Sequence, residues 1–241
     1  EDINNICPEA IVFNYSNPMQ RICHAARTKY PNLQFFGLCH EIESMKRQLP
    51  NLMETNFSNI EITAGGLNHF SILLDARYKD TDKSGYVKIN EKFNNYYSTL
   101  VNDHEGFLSV AGAERGVFFA LYKKYGYLPI TTDSHLGEYI PWAYSVADHE
   151  GILDFYENYK RKCLDFFDNK SSYDHFFDIE NETTHERAIP IIESILDNKV
   201  SRELAVNIPN TEGFIDCLPR DIVVEVPAMI SSEGIRGIKL E

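Results

Sequence analysis

This 241-residue sequence lacks the features that would declare a membrane, a nucleic acid or a disulfide scaffold. No apolar run is long enough to span a bilayer and no leader pattern is found, so the chain reads as soluble and cytoplasmic, without a membrane partner. Basic residues are scarce. The 23 Lys and Arg against 36 Asp and Glu leave a formal charge of -13, which argues against the basic patches that nucleic acid requires. The five cysteines (Cys7, Cys23, Cys39, Cys163, Cys217) are odd in number, widely spaced and without a CxxC pair, so neither a disulfide framework nor a structural zinc site is indicated. Repeats and low-complexity tracts are absent too, although the acidic, polar stretch from Asp168 to Glu186 reads as a mobile loop.

Two strand-then-helix units come first. Ala10-Ile11-Val12-Phe13-Asn14-Tyr15 is rich in β-formers and ends at the turn signature Ser16-Asn17-Pro18-Met19 before a helix expected over Gln20 to Lys29. Leu33 to Leu38 reads as a short buried strand, and Glu41 to Leu49 as a helix with acids in its first turn. This succession predicts the tail of a parallel, doubly wound sheet with Asn17 and Cys39 at neighbouring strand ends. Asn17 has two readings there, as a helix cap or as a site residue. Ligands of such sheets bind beyond the strand ends, which gives Cys39 and His40 access to solvent, and a helix terminus beside Cys39 would favour its thiolate.

Asn59 to Ala64 alternates polar and apolar, and Gly65-Gly66 lets the backbone approach a ligand before Leu67-Asn68-His69-Phe70, whose His69 comes thirty residues after Cys39. Cys39 and His69 are read as two ligands of one metal ion. The alternative is a small buried thiol and a satisfied loop histidine, and the spacing alone matches no metal motif. Phe70 to Tyr78 resumes as a strand, Lys92 to Tyr125 has helical spacing, and Gly126 is placed to end that helix. Thr132-Asp133-Ser134-His135-Leu136-Gly137-Glu138-Tyr139 crowds two acids and an imidazole after an apolar run, which suits acid/base work and equally a capped helix start. Helices over Ile152 to Phe167 and Ala188 to Leu196 carry no assigned chemistry. Val206 to Asn210 and Asp221 to Pro227 read as strands that can pair.

In order and spacing, Asn17-Pro18-Met19, Gly37-Leu38-Cys39-His40-Glu41, Leu67-Asn68-His69-Phe70, Thr132-Asp133-Ser134-His135 with Glu138-Tyr139, and the stretch from Ile208-Pro209-Asn210 to Val226-Pro227 resemble glycoside hydrolase family 4. The likeness runs through nearly the whole chain and looks closest to the group of α-galacturonidases, α-glucosidases and α-galactosidases bearing Cys-His-Glu. It implies an α/β fold, the end of a Rossmann-like parallel sheet followed by the α+β C-terminal domain shared with lactate and malate dehydrogenases. The boundary is expected after residue 58, with the metal-ligand strand in 1–58 and the catalytic domain in 59–241. No glycine-rich dinucleotide fingerprint precedes Ala10, so the chain is expected to be a C-terminal portion, silent in isolation.

The resemblance further implies hydrolysis by elimination, the NAD-dependent exception among glycosidases. NAD+ takes hydride from C3 of the sugar, a base removes the acidified C2 proton, and the aglycone leaves from C1. By resemblance the metal is Mn2+ on Cys39 and His69, although a Cys/His pair alone suggests zinc. Asp133 takes the base position, with His135 as its partner and His40 beside metal and sugar; Asn17 contacts the sugar near the nicotinamide, and Asn68 contacts the sugar. The partners implied are a small glycoside and, in the complete enzyme, further copies of the chain in a homo-oligomer. Two other classes compete: a lactate/malate-type dehydrogenase, which has no use for a metal thiolate, and a non-catalytic assembly module.

Overall fold

The computed structural model describes residues 1–100, 115–168 and 186–240. It divides into two compact units: Glu1–Asn90, Tyr127–Thr131 and Glu186–Glu241 form the first, and Glu91–Gly126 with Thr132–His185 the second.

The first unit is built on one eight-stranded sheet. A short helix, α1 (Asp2–Ile6), precedes β1 (Ile11–Asn14), α2 (Met19–Lys29) and β2 (Gln34–Gly37); β1 and β2 run parallel because the intervening helix returns the chain to the same end. A single 3-10 turn over Glu41–Glu43 then leads into α3 (Ser44–Met53), so the helix expected from Glu41 begins three residues later. β3 (Ile60–Leu67) and β4 (Phe70–Tyr78) form an antiparallel hairpin, and β5 (Leu128–Pro129) adds to β4. β6 (Ser201–Pro209), β7 (Val223–Ser231) and β8 (Gly234–Gly237) follow as antiparallel neighbours. The order is β1-β2-β6-β7-β3-β4-β5, with β8 on β7. The doubly wound parallel sheet therefore extends only over β1 and β2, because the remaining strands are joined by tight turns or meet head to tail.

β7 lies at the centre, and its alternation sorts the two faces of the sheet. Val224, Val226, Ala228 and Ile230 join Phe36, Leu38, Val206, Ile208 and Phe214 in the main core, which is closed by Ile191 of a helix over Ala188–Leu196. Val223 points the other way, toward Met19 and Cys23 on α2. Glu225 shares that second face.

The second unit is helical. α4 (Tyr86–Leu100) starts in the first unit, and its later part is followed by α5 (Gly116–Tyr125), which ends at Gly126 with φ 75° as its sequence predicts. α6 (Asp133–Leu136) and α7 (His149–Asp168) complete it; the helix over Ala188–Leu196 is α8, in the first unit. The aromatic rings of Phe93 and Tyr122 stack at 3.8 Å, with Phe118 and Tyr97 in the same cluster. Buried Arg115 lies 4.4 Å over the Phe118 ring. Part of the helical stretch expected over Lys92 to Tyr125, and the loop expected over Asp168 to Glu186, lie outside the described residues.

Gly37 is where α2 touches the sheet. A Cβ there would lie 2.8 Å from the Met19 sulfur and 2.9 Å from both Cys23 Sγ and Asn207 Cβ. Gly37→Ala should therefore destabilise the chain by roughly 1–3 kcal/mol through overpacking, read as a lower urea midpoint with an unchanged slope. An unchanged midpoint would show that α2 shifts freely.

Candidate functional site

A row of paired residues crosses the sheet and assembles the site. Asn14 pairs with Gly37, Gly37 with Asn207, Asn207 with Glu225, Glu225 with Gly66, and Gly66 with Ser71. Paired residues on adjacent strands present their side chains to one face, so the row gathers four polar side chains and two glycines on that face.

Glu225 is the centre of the row and is only 5% exposed. Its carboxylate accepts hydrogen bonds from Ser71 Oγ at 2.7 Å, Asn207 Nδ2 at 2.9 Å and Asn68 Nδ2 at 3.1 Å. Burial pushes its pKa up, and the three hydrogen bonds together with the nearby His69 pull it back. Asn207, fully buried, also directs Nδ2 toward the Met19 sulfur at 3.3 Å and the Gly37 carbonyl at 3.4 Å, while its Oδ1 has no hydrogen-bond partner among the described residues.

Asn68 and His69 are the two-residue turn between β3 and β4, spanned by the Leu67–Phe70 pair. Both are buried. His69 has φ 66°, a left-handed conformation that residues other than glycine adopt infrequently, and its carbonyl accepts the Thr131 hydroxyl at 3.1 Å. The turn thus holds the imidazole in one defined place.

Cys39 lies two residues past β2 and packs against Met19, Cys23 and Val223. Burial, and after it the charge of Glu225, pushes its thiol up to about 12, against weaker help from the Glu41 backbone amide and the Asn68 side chain. The thiolate expected from a helix terminus is not favoured, because burial outweighs the 3-10 turn that follows and the acids there oppose a second negative charge. Glu225 thus takes a hydrogen bond from Asn68 and acts electrostatically on Cys39 and His69.

The other expected site residues are placed as follows. Asn17 is exposed, and its Oδ1 accepts the Met19 N–H at 3.2 Å, closing an Asx turn just ahead of α2, whose N-cap residue is Pro18. His40 is exposed and has Nδ1 3.7 Å from the Glu186 carboxylate. Asp133 and His135 belong to the second unit. Asp133 is 1% exposed, and its two oxygens accept the backbone N–H groups of Phe118 and Asp148, both at 3.0 Å. Asp148 in turn accepts from the Gly151 N–H, so Asp133 helps fasten the starts of α5 and α7. His135 is not among the hydrogen-bond partners of that carboxylate among the described residues.

Sequence reasoning passed over Glu225, Asn207 and Ser71. The available signal was a single acid, and a single amide, inside otherwise apolar strands. With its thiol held up to about 12, Cys39 should react with an alkylating reagent at pH 8 in the absence of metal far more slowly than exposed Cys7 and Cys217, as mass spectrometry of partial labelling would show. Early labelling at Cys39 would contradict its burial.

Residues 64–241 match the model of the family 4 glycosyl hydrolase C-terminal domain, and residues 1–55 that of family 4 glycosyl hydrolase. The two compact units divide the chain differently from these matched segments. An alpha-glucosidase of Erwinia rhapontici is 42% identical, in an alignment covering 100% of this chain and 56% of the relative. An alpha-galacturonidase of Thermoanaerobacterium saccharolyticum is 28% identical over 98% of this chain and 54% of its own. In fold, a 6-phospho-alpha-glucosidase from gut microorganisms, solved in complex with NAD and Mn2+, superposes with a TM-score of 0.68 at 20% identity over 99% of this chain and 55% of that one. The chain spans about half the length of the curated relatives it matches. Because a family model accounts for the chain from residue 64 to its end, this protein belongs to glycosyl hydrolase family 4.

Proposed function

We propose that this chain is the metal-binding portion of an NAD- and Mn2+-dependent glycosidase that cleaves an α-linked glucoside, galactoside or galacturonide by oxidation at C3, deprotonation at C2 and elimination. The observation that supports the reading is that the Asn68-His69 turn is hydrogen-bonded through Asn68 to the buried carboxylate of Glu225, which also acts electrostatically on Cys39 and His69. A thiol and an imidazole near a buried carboxyl group whose hydrogen-bond donors are neutral side chains fit a divalent cation, which would favour the Cys39 thiolate. The relatives' names support the α-glycosidase class, and the NAD and Mn2+ bound to a solved relative support the cofactors.

When bound, the nicotinamide would accept hydride and the metal would polarise the sugar's C2 and C3 oxygens. The protein's own residues then hold and deprotonate. His69, fixed in its turn, and Cys39 would place the metal; Asn68, His40 and Asn17 would contact sugar hydroxyls. Asp133 is proposed as the C2 base. Its two backbone hydrogen bonds hold the carboxylate in one orientation, and each oxygen keeps a second lone pair. His135, in the same short helix, is proposed to take part in the proton transfer. A cytoplasmic location and a homo-oligomeric enzyme complete the proposal. For NAD, the described residues offer no glycine-rich turn opening a helix.

The test uses protein extended to the length of its relatives, supplied with NAD+, Mn2+ and a thiol. Turnover of α-linked nitrophenyl sugars should require all three, and product formed in D2O should carry deuterium at C2. Hydrolysis indifferent to NAD+ and metal would overturn the reading. Asp133→Asn should slow C2 exchange by roughly 10^2- to 10^4-fold with metal affinity retained. Because the substitution also turns an amide N–H toward a backbone N–H, its urea midpoint must be measured alongside, and intact exchange in a folded variant would place the base elsewhere.

A further inference from the structure

Four acids are buried among the described residues: Glu43, Asp133, Glu203 and Glu225. Three have an evident structural partner. Glu43 pairs with Lys46, Glu203 takes a bidentate grip from Arg187 at 2.7 and 2.9 Å, and Asp133 holds two backbone amides. Glu225 differs in having three neutral side chains as its hydrogen-bond donors, one of them an asparagine whose own Oδ1 is orphaned. A buried anion so arranged is a poor way to stabilise a strand, since an apolar residue would continue the Val223-Val224 and Val226 run.

Its contacts point to another task. Ser71 lies on one limb of the β3–β4 hairpin, Gly66 pairs with Glu225 from the other limb, and Asn68 is half of the turn itself. With only two residues in the turn, fixing Asn68 fixes the direction of His69. The same carboxylate acts electrostatically on both Cys39 and His69.

Resting on the metal-site reading above, we propose that Glu225 is the positioning residue of that site, orienting the Asn68-His69 turn and supplying the buried negative charge that a divalent cation on Cys39 and His69 balances. A thiolate, a carboxylate and a neutral imidazole together carry two negative charges, which a divalent ion cancels. Carboxylates behind ligating histidines act in this way on metal affinity.

The experiment uses metal-free protein extended to the length of its relatives, titrated with Mn2+ by electron paramagnetic resonance and with Co2+ by its thiolate-to-cobalt absorption. Glu225→Gln should weaken Mn2+ binding by roughly 10- to 100-fold and shift the cobalt band, and Glu225→Asp, which keeps the charge, should recover part of the affinity. Mn2+ affinity within about twofold of wild type together with an unchanged cobalt band in Glu225→Gln would overturn the inference while leaving the metal site standing. If Glu225→Gln does not fold, Glu225→Asp and Ser71→Ala decide, and wild-type affinity and spectrum in both would overturn it. Wild-type protein that takes up neither ion, with Cys39→Ser behaving identically, would instead sink the metal-site reading and this inference with it.

Discussion

A carboxylate buried in the middle of a sheet is the constraint on which the site depends. An acid inside β7 has to be solvated by the protein, and the solvation comes from three different strands or turns: Asn207 on β6, Ser71 on β4 and Asn68 at the hairpin tip. Meeting that requirement fixes the relation of β6, β7 and the β3–β4 hairpin to within a hydrogen bond's tolerance. The glycines at 37 and 66 belong to the same requirement. At Gly37 α2 comes close enough to bring Met19 and Cys23 onto the row, and at Gly66 any Cβ would strike the Phe70 carbonyl at 2.4 Å.

The two faces of β7 divide the labour. One is an uninterrupted aliphatic core closed by α8, which supplies the cohesion. The other exchanges cohesion for polarity, with a sulfur-rich patch of Met19, Cys23 and Cys39 between the helix and the row. Burial there favours the protonated Cys39 thiol.

In the second unit a buried acid serves architecture directly. Asp133 ties the third residue of α5 to the residue before α7, so its loss would loosen two helix starts at once. Any chemistry assigned to such a residue must be separated from this scaffolding, and the separation is a matter of measuring folding and proton exchange together.

The sequence by itself determined the elements and the family. Polar-apolar alternation from Asn59 to Ala64 marked β3, the 3.6 period gave Ala188–Leu196 as a helix, and Gly126 ended α5 as its lack of a Cβ allows. The five motif blocks gave the family and singled out Cys39, Asn68 and His69. Strand direction was legible only in part, since a strand-helix-strand order fixes β1 and β2 as parallel but says nothing of what joins β2 on its other side. Only the tertiary structure decided that Gly37 meets Asn207 and that Asn207 meets Glu225, residues brought together from distant parts of the chain. The physical reason is register: a slip of one residue in any of these pairings would turn the polar row toward the aliphatic core, and nothing local to Val223-Val224-Glu225-Val226 states which neighbours will receive its charge.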